Sequence, residues 1–62
     1  MADKLLTVSE VAEMCRLPEA TIRWFRHAGK GPASAKLGRR VVYREAEVMK
    51  WIDDQFAADA IA

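Results

Sequence analysis

The sequence predicts a mainly α-helical domain carrying one small β-hairpin. Three observations predict it. Apolar residues recur at helical spacing in three separate stretches. The spacing gives way once, after Pro32, to two short β-prone runs. Proline and glycine punctuate the joints between these stretches and leave their interiors alone.

The first helix is announced by Thr7-Val8-Ser9-Glu10, a capping box in which the Thr7 hydroxyl accepts from the Glu10 amide and the Glu10 carboxylate reaches back to the Thr7 amide. Val8, Val11, Ala12 and Cys15 then form one helical stripe. Leu5 and Leu6 precede the cap and are expected to pack back against it as a staple. Cys15 lies on the stripe and reads as a small buried hydrophobe. Arg16-Leu17-Pro18 breaks the helix, and Pro18 fits the first turn of a second one. That second helix runs from about Glu19, whose carboxylate suits the helix dipole, to Ala28, with Gly29 and Gly31-Pro32 stopping it. Two short helices across so tight a turn make a helix-turn-helix.

The second helix has two unlike faces. Ile22 and Phe25 are expected to face the first helix, while Ala20, Arg23, Trp24 and His27 share another side. A wide apolar stripe also accommodates Trp24 in the core, and His27 also suits a solvated position near a helix end. Ser34–Leu37 and Val41–Tyr43 read as the strands of a hairpin, joined either by a two-residue type II′ turn at Gly38-Arg39 or by a longer loop through Arg40. Glu45 to about Phe56 reads as the closing helix, with Val48, Trp51, Ile52 and Phe56 on its core stripe. Residues 57–62 either extend it or fray. The whole chain, residues 1–62, thus reads as a single domain with its core between about 5 and 56.

Composition narrows the function. A chain of 62 residues, 52% hydrophobic and 31% charged, is globular in character. At this size folding buries only about 60% of the surface exposed by the unfolded chain, which leaves little room for an enclosed catalytic cleft. No apolar run approaches the ~20 residues that cross a bilayer, and no secretory leader opens the chain. One cysteine allows no internal disulfide, which suits a reducing cytosol. An enzyme is not expected: Ser9 and Ser34 have no partner base nearby, Tyr43 has no Arg/His cluster around it, and Gly29-Lys30-Gly31 is too short for a phosphate cradle. No cofactor, metal or small-molecule ligand is expected, since one histidine and one cysteine make a poor ligand set.

The net charge of +1 conceals a sharp segregation. Residues 1–15 carry −2, residues 16–44 carry +7, and residues 45–62 carry −4. Such a chain offers a basic face to a polyanion and keeps an acidic back. Helix, turn, helix, basic hairpin, helix is the order of a winged helix-turn-helix, so double-stranded DNA is the expected partner. A helix fits the major groove, where each base pair displays its own donor and acceptor pattern, and a basic hairpin reaches neighbouring phosphates or the minor groove. Arg23 is the candidate reader of a base edge. Thr21, Arg26, Lys30 and Lys36 suit phosphates, and Gly38, Arg39 and Arg40 form the tip of the wing. Arg16 and Arg44 are weaker candidates. A transcriptional regulator built on the same domain is the alternative, and a pure protein-interaction module with a basic face is a third reading.

Leu6-Thr7-Val8-Ser9-Glu10-Val11-Ala12-Glu13 resembles the opening of the excisionase-like helix-turn-helix family. Thr21 to Arg26 followed by Gly29-Lys30-Gly31-Pro32 resembles that family's recognition helix and exit. Leu37 to Arg44 resembles its wing, and Glu47 to Ile52 its closing helix. The likeness spans roughly residues 5 to 55 and extends more distantly to the DNA-binding domain of mercury-resistance-type regulators. Within the superfamily the chain is most similar to stand-alone phage excisionases of the mycobacteriophage type, because it ends where the DNA-binding domain ends. The resemblance implies a recombination directionality factor in the cytoplasm of a bacterial host, nucleoid-associated when bound. It implies copies side by side on repeated sites, DNA bending and contact with a phage integrase. It places Thr21, Arg23, Trp24 and His27 on the groove-facing side of the recognition helix, which also carries the candidates Ala20 and Arg26, and makes Lys36, Arg39 and Arg40 the wing contacts. Two positions depart from the family pattern: Pro18 stands where a serine cap is usual, and Glu19 adds a carboxylate near the phosphates.

Overall fold

A computed structural model describes residues 3–61, so the last residue of the expected tail lies outside the described part. The order of elements is β1 (Leu5–Thr7), α1 (Val8–Cys15), α2 (Glu19–His27), β2 (Ser34–Leu37), β3 (Arg40–Arg44) and α3 (Glu45–Ile61). These are the elements of a winged helix-turn-helix, with one strand more than the hairpin.

The capping box of α1 is complete. Glu10 N donates to Thr7 Oγ1 at 3.1 Å, and Thr7 N donates to Glu10 Oε1 at 2.9 Å. Arg16 ends α1 in the left-handed conformation at φ 58°. Leu17 N donates to Ala12 O and Arg16 N to Glu13 O, which is a Schellman closure built without glycine. Pro18 occupies the N-cap of α2, one place earlier than its expected position in the first turn. Its carbonyl accepts from Thr21 N and Ile22 N.

The hairpin is tight. Leu37 pairs with Arg40, so only Gly38 and Arg39 form the turn. Gly38 has φ +61° and Arg39 is not in the positive region, the pattern of a type II′ turn. Of the two connections open to the sequence, the shorter is the one found.

Leu5 and Leu6 divide: Leu6, just before the Thr7 cap, is buried with Val11 in one core cluster, as a staple would place it, whereas Leu5 is half exposed. They belong to β1, which adds antiparallel to β3 and makes a three-stranded sheet of order β1-β3-β2. Leu6 pairs with Tyr43 and is buried, while Leu5 pairs with Arg44 and stays half exposed. The strand adds backbone partners to the apolar contact that Leu6 makes in the core. The pairing also closes the chain, since Glu45 N donates to Lys4 O and Ala46 N to Asp3 Oδ1, so the N-terminal segment caps α3.

Leu6, Val11, Ala12, Ile22, Tyr43 and Val48 form the core, drawn from every element except β2. Cys15 is half-buried, and loss of solvent pushes its thiol above the ordinary range. Phe25 turns toward α3, where its ring meets Trp51 at 5.7 Å between centroids. Trp51 is therefore half-buried against Phe25 and does not enter the centre. Phe56 departs furthest from expectation. It is 73% exposed, at the rim of an open depression between α3 and the end of α1 that Met14, Cys15, Leu17 and Ile52 also line.

Candidate nucleic-acid interface

Helix α2 buries Ile22 and turns its opposite side outward. Ala20, Arg23, Trp24, Arg26 and His27 line one shallow depression of about 480 Å³, completed by Val8 of α1 and Val41 of β3. Five of the six candidate residues of the helix are thus brought together. Thr21 is the exception: it is half-buried on the flank nearer Phe25 and does not line the depression.

Trp24 belongs to the outward face. Its side chain is 54% exposed, tilted against Phe25 at 5.7 Å between centroids. Lys30, just past the helix, holds its Nζ 5.4 Å from the centroid of the Trp24 ring. The ammonium sits where the indole quadrupole attracts a cation, so the loop after α2 contributes positive charge to the helix face. His27 is exposed on the same side.

Two arginines of α2 are held by side-chain partners. Arg23 Nη2 donates to Glu19 Oε1 at 2.9 Å, one helical turn back. Arg26 Nε donates to Ser34 Oγ at 3.1 Å, from α2 to the start of β2. The sequence motifs do not reveal the second contact, because Arg26 and Ser34 are separated by the turn after α2 and no local pattern pairs them.

The hairpin divides its cations between two faces. Residues directly paired across strands share a face, and successive residues alternate. Ser34, Lys36, Val41 and Tyr43 therefore lie on the side packed toward the helices, with Leu6. Arg40 and Arg44 lie on the other side, with Leu5, Leu37 and Val42. Arg39 stands in the turn with Gly38, between the two faces. Lys36 and Arg39 are thus placed toward the α2 side or the tip, whereas Arg40 and Arg44 share the outer face of the sheet. Arg16 is exposed at the end of α1 and takes no part in the depression.

No group of His, Cys, Asp and Glu among the described residues could hold a metal ion. No helix among them is long and apolar enough to cross a membrane. What the arrangement offers is an exposed helix face with forked and ammonium donors, an aromatic ring and small apolar side chains, beside a two-stranded projection with basic residues.

A family model described as a helix-turn-helix domain matches residues 5–55. No curated protein matches the chain significantly. No solved structure does so either.

Proposed function

The chain belongs to the helix-turn-helix domain family, and from that premise we propose that it binds duplex DNA as an architectural factor of the excisionase kind. The observation that carries the reading is the uncovered outer face of α2, where Trp24 is 54% exposed beside Arg23, His27 and the Lys30 ammonium. What distinguishes Trp24 from the other exposed apolar side chains is its setting among Arg23, His27 and the Lys30 ammonium, so that one face offers apolar surface for a base edge and cations for the flanking phosphates.

In this reading α2 enters the major groove. Arg23 offers its remaining N–H donors to a guanine edge, and Ala20 and Trp24 supply apolar contact to a thymine methyl. Arg26 and Lys30 meet phosphates flanking the helix, while Lys36 and Arg39 reach the backbone or the adjacent minor groove from the hairpin, with Arg40 at its outer edge. Thr21 meets a phosphate only through its half-exposed edge. The domain makes no cut in DNA. Copies bound to neighbouring repeats bend the duplex and present a surface to a phage integrase, which favours excision over integration.

The test is a gel-shift titration on DNA flanking a prophage attachment site, with and without integrase, over a salt series. Neutralising about six phosphates gives a slope of log affinity against log salt near −5. Tandem complexes with altered mobility that tighten when integrase is added support the excisionase reading. A single, unbent promoter complex would assign the domain to transcription, and a flat salt response would remove DNA as its main partner.

A further inference from the structure

We infer that Glu19 is a specificity-determining residue of the α2 face, acting through Arg23 and on a neighbouring base. The inference rests on the DNA-binding reading above and concerns how that same face discriminates between sequences.

Glu19 opens α2 and Arg23 follows one turn later. The bond from Arg23 Nη2 to Glu19 Oε1 is 2.9 Å, and both side chains remain open to solvent, at 62% for Arg23 and 44% for Glu19. Among the described residues no other side chain hydrogen-bonds Arg23. Two consequences follow from the chemistry. A free arginine samples many rotamers, whereas one fixed at a single Nη presents its remaining planar donors in one orientation. Guanine O6 and N7 require such a fixed fork, while a phosphate accepts an arginine from many directions.

The second consequence is electrostatic. The pair is neutral as a unit, so Arg23 adds little to sequence-independent attraction, and the carboxylate itself is repelled by phosphates. Glu19 gains only where DNA offers it a donor. In the major groove that donor is the cytosine N4 amino group. One carboxylate thus lowers affinity for DNA in general and favours a site where a guanine lies under Arg23 and a cytosine amino group lies within reach of Glu19. An exposed pair whose only role is helix support would alter stability and leave base preference untouched.

The experiment uses the full chain and a randomised duplex library, with base preference read by selection and sequencing and affinity read over a salt series. Glu19→Gln is expected to bind non-specific duplex several-fold tighter. Its salt slope should steepen by about one, because a freed arginine charge becomes available to a phosphate. Its preference at the Arg23 base pair should fall by about tenfold. Glu19→Asp keeps the charge and shortens the reach, so it should relax the same preference without steepening the slope. In an Arg23→Ala background, Glu19→Gln should leave the preference at that base pair unchanged. Wild-type base preference in both Glu19 variants would overturn the inference and leave DNA binding intact. Absence of salt-dependent duplex binding by the wild-type chain would instead overturn the reading beneath it.

Discussion

Arg26 Nε donates a 3.1 Å hydrogen bond to Ser34 Oγ, and this contact fastens the outward helix α2 to the first strand of the hairpin. Those two elements are otherwise joined through the turn that carries Gly29, Gly31 and Pro32. Because the bond uses Nε, the terminal nitrogens of Arg26 stay free to meet a phosphate while the side chain is held. The contact therefore bears on both the angle between helix and hairpin and the aim of one cation.

Ser34→Ala should lower affinity for all duplexes alike, by about twofold to fivefold, without changing base preference. The magnitude corresponds to one exposed hydrogen bond at the lower end of the usual net range of ~0.5–1.5 kcal/mol. Gel-shift titration on matched and unmatched duplexes checks it. A change confined to one base pair would show that Arg26 reads sequence.

Gly31→Ala should destabilise the domain by about 1–3 kcal/mol. Gly31 has φ +78°, and a Cβ there would stand 2.9 Å from Phe25 Cβ. The obstacle is the stem of the side chain, which cannot swing away, and the Phe25 ring is committed to Trp51. A urea titration measures the loss, and wild-type stability in this variant would mean that the loop has room to shift.

Tyr43→Phe should leave stability unchanged or raise it by about 1 kcal/mol. The side chain is only 2% exposed and its Oη has no partner at full hydrogen-bond geometry, with the Ser34 hydroxyl nearby as a polar neighbour. Burial also pushes its hydroxyl above the ordinary range, since the phenolate is disfavoured away from water. Tyr43→Ala, by contrast, should cost about 3–5 kcal/mol and unfold so small a domain. Thermal melts separate the two outcomes, and a clear loss in the phenylalanine variant would reveal a hydroxyl partner.

Acid should weaken the start of α1. The Thr7 backbone N–H donates to Glu10 and holds its carboxyl below the ordinary value of 4.5. A group lowered by folding contributes stability that is complete above its unfolded value and is lost as pH falls through its lowered folded value. The urea midpoint should therefore decline as the medium is acidified below about 4.5, and Glu10→Gln should make that decline shallower. Glutamine keeps an acceptor for the Thr7 amide and has no proton to take up. Identical pH profiles for the two proteins would remove Glu10 from the acid response.

The amino-acid sequence alone determined the parts that local chemistry controls. Thr7 and Glu10 set the start of α1, Gly29 closes α2, and Gly38 permits the two-residue turn, each through backbone geometry or a cap within a few residues. The helical spacing of apolar and polar positions likewise placed Ile22 inside and Arg23 outside. Tertiary structure alone decided the rest. That Leu5 and Leu6 would also pair as a strand depended on the free edge of β3, whose residues lie far along the chain. Trp24 and Phe56 both sat on plausible core stripes, yet a stripe says which residues share a side and not how much of that side another element covers. The outward position of Trp24 follows from the packing of Ile22 and Phe25 on the other sides of α2, and that of Phe56 from the open depression left between α3 and the end of α1. Pairing across the sheet then assigned Lys36 and Arg40 to opposite faces, because the register is a relation between strands that neither strand contains by itself.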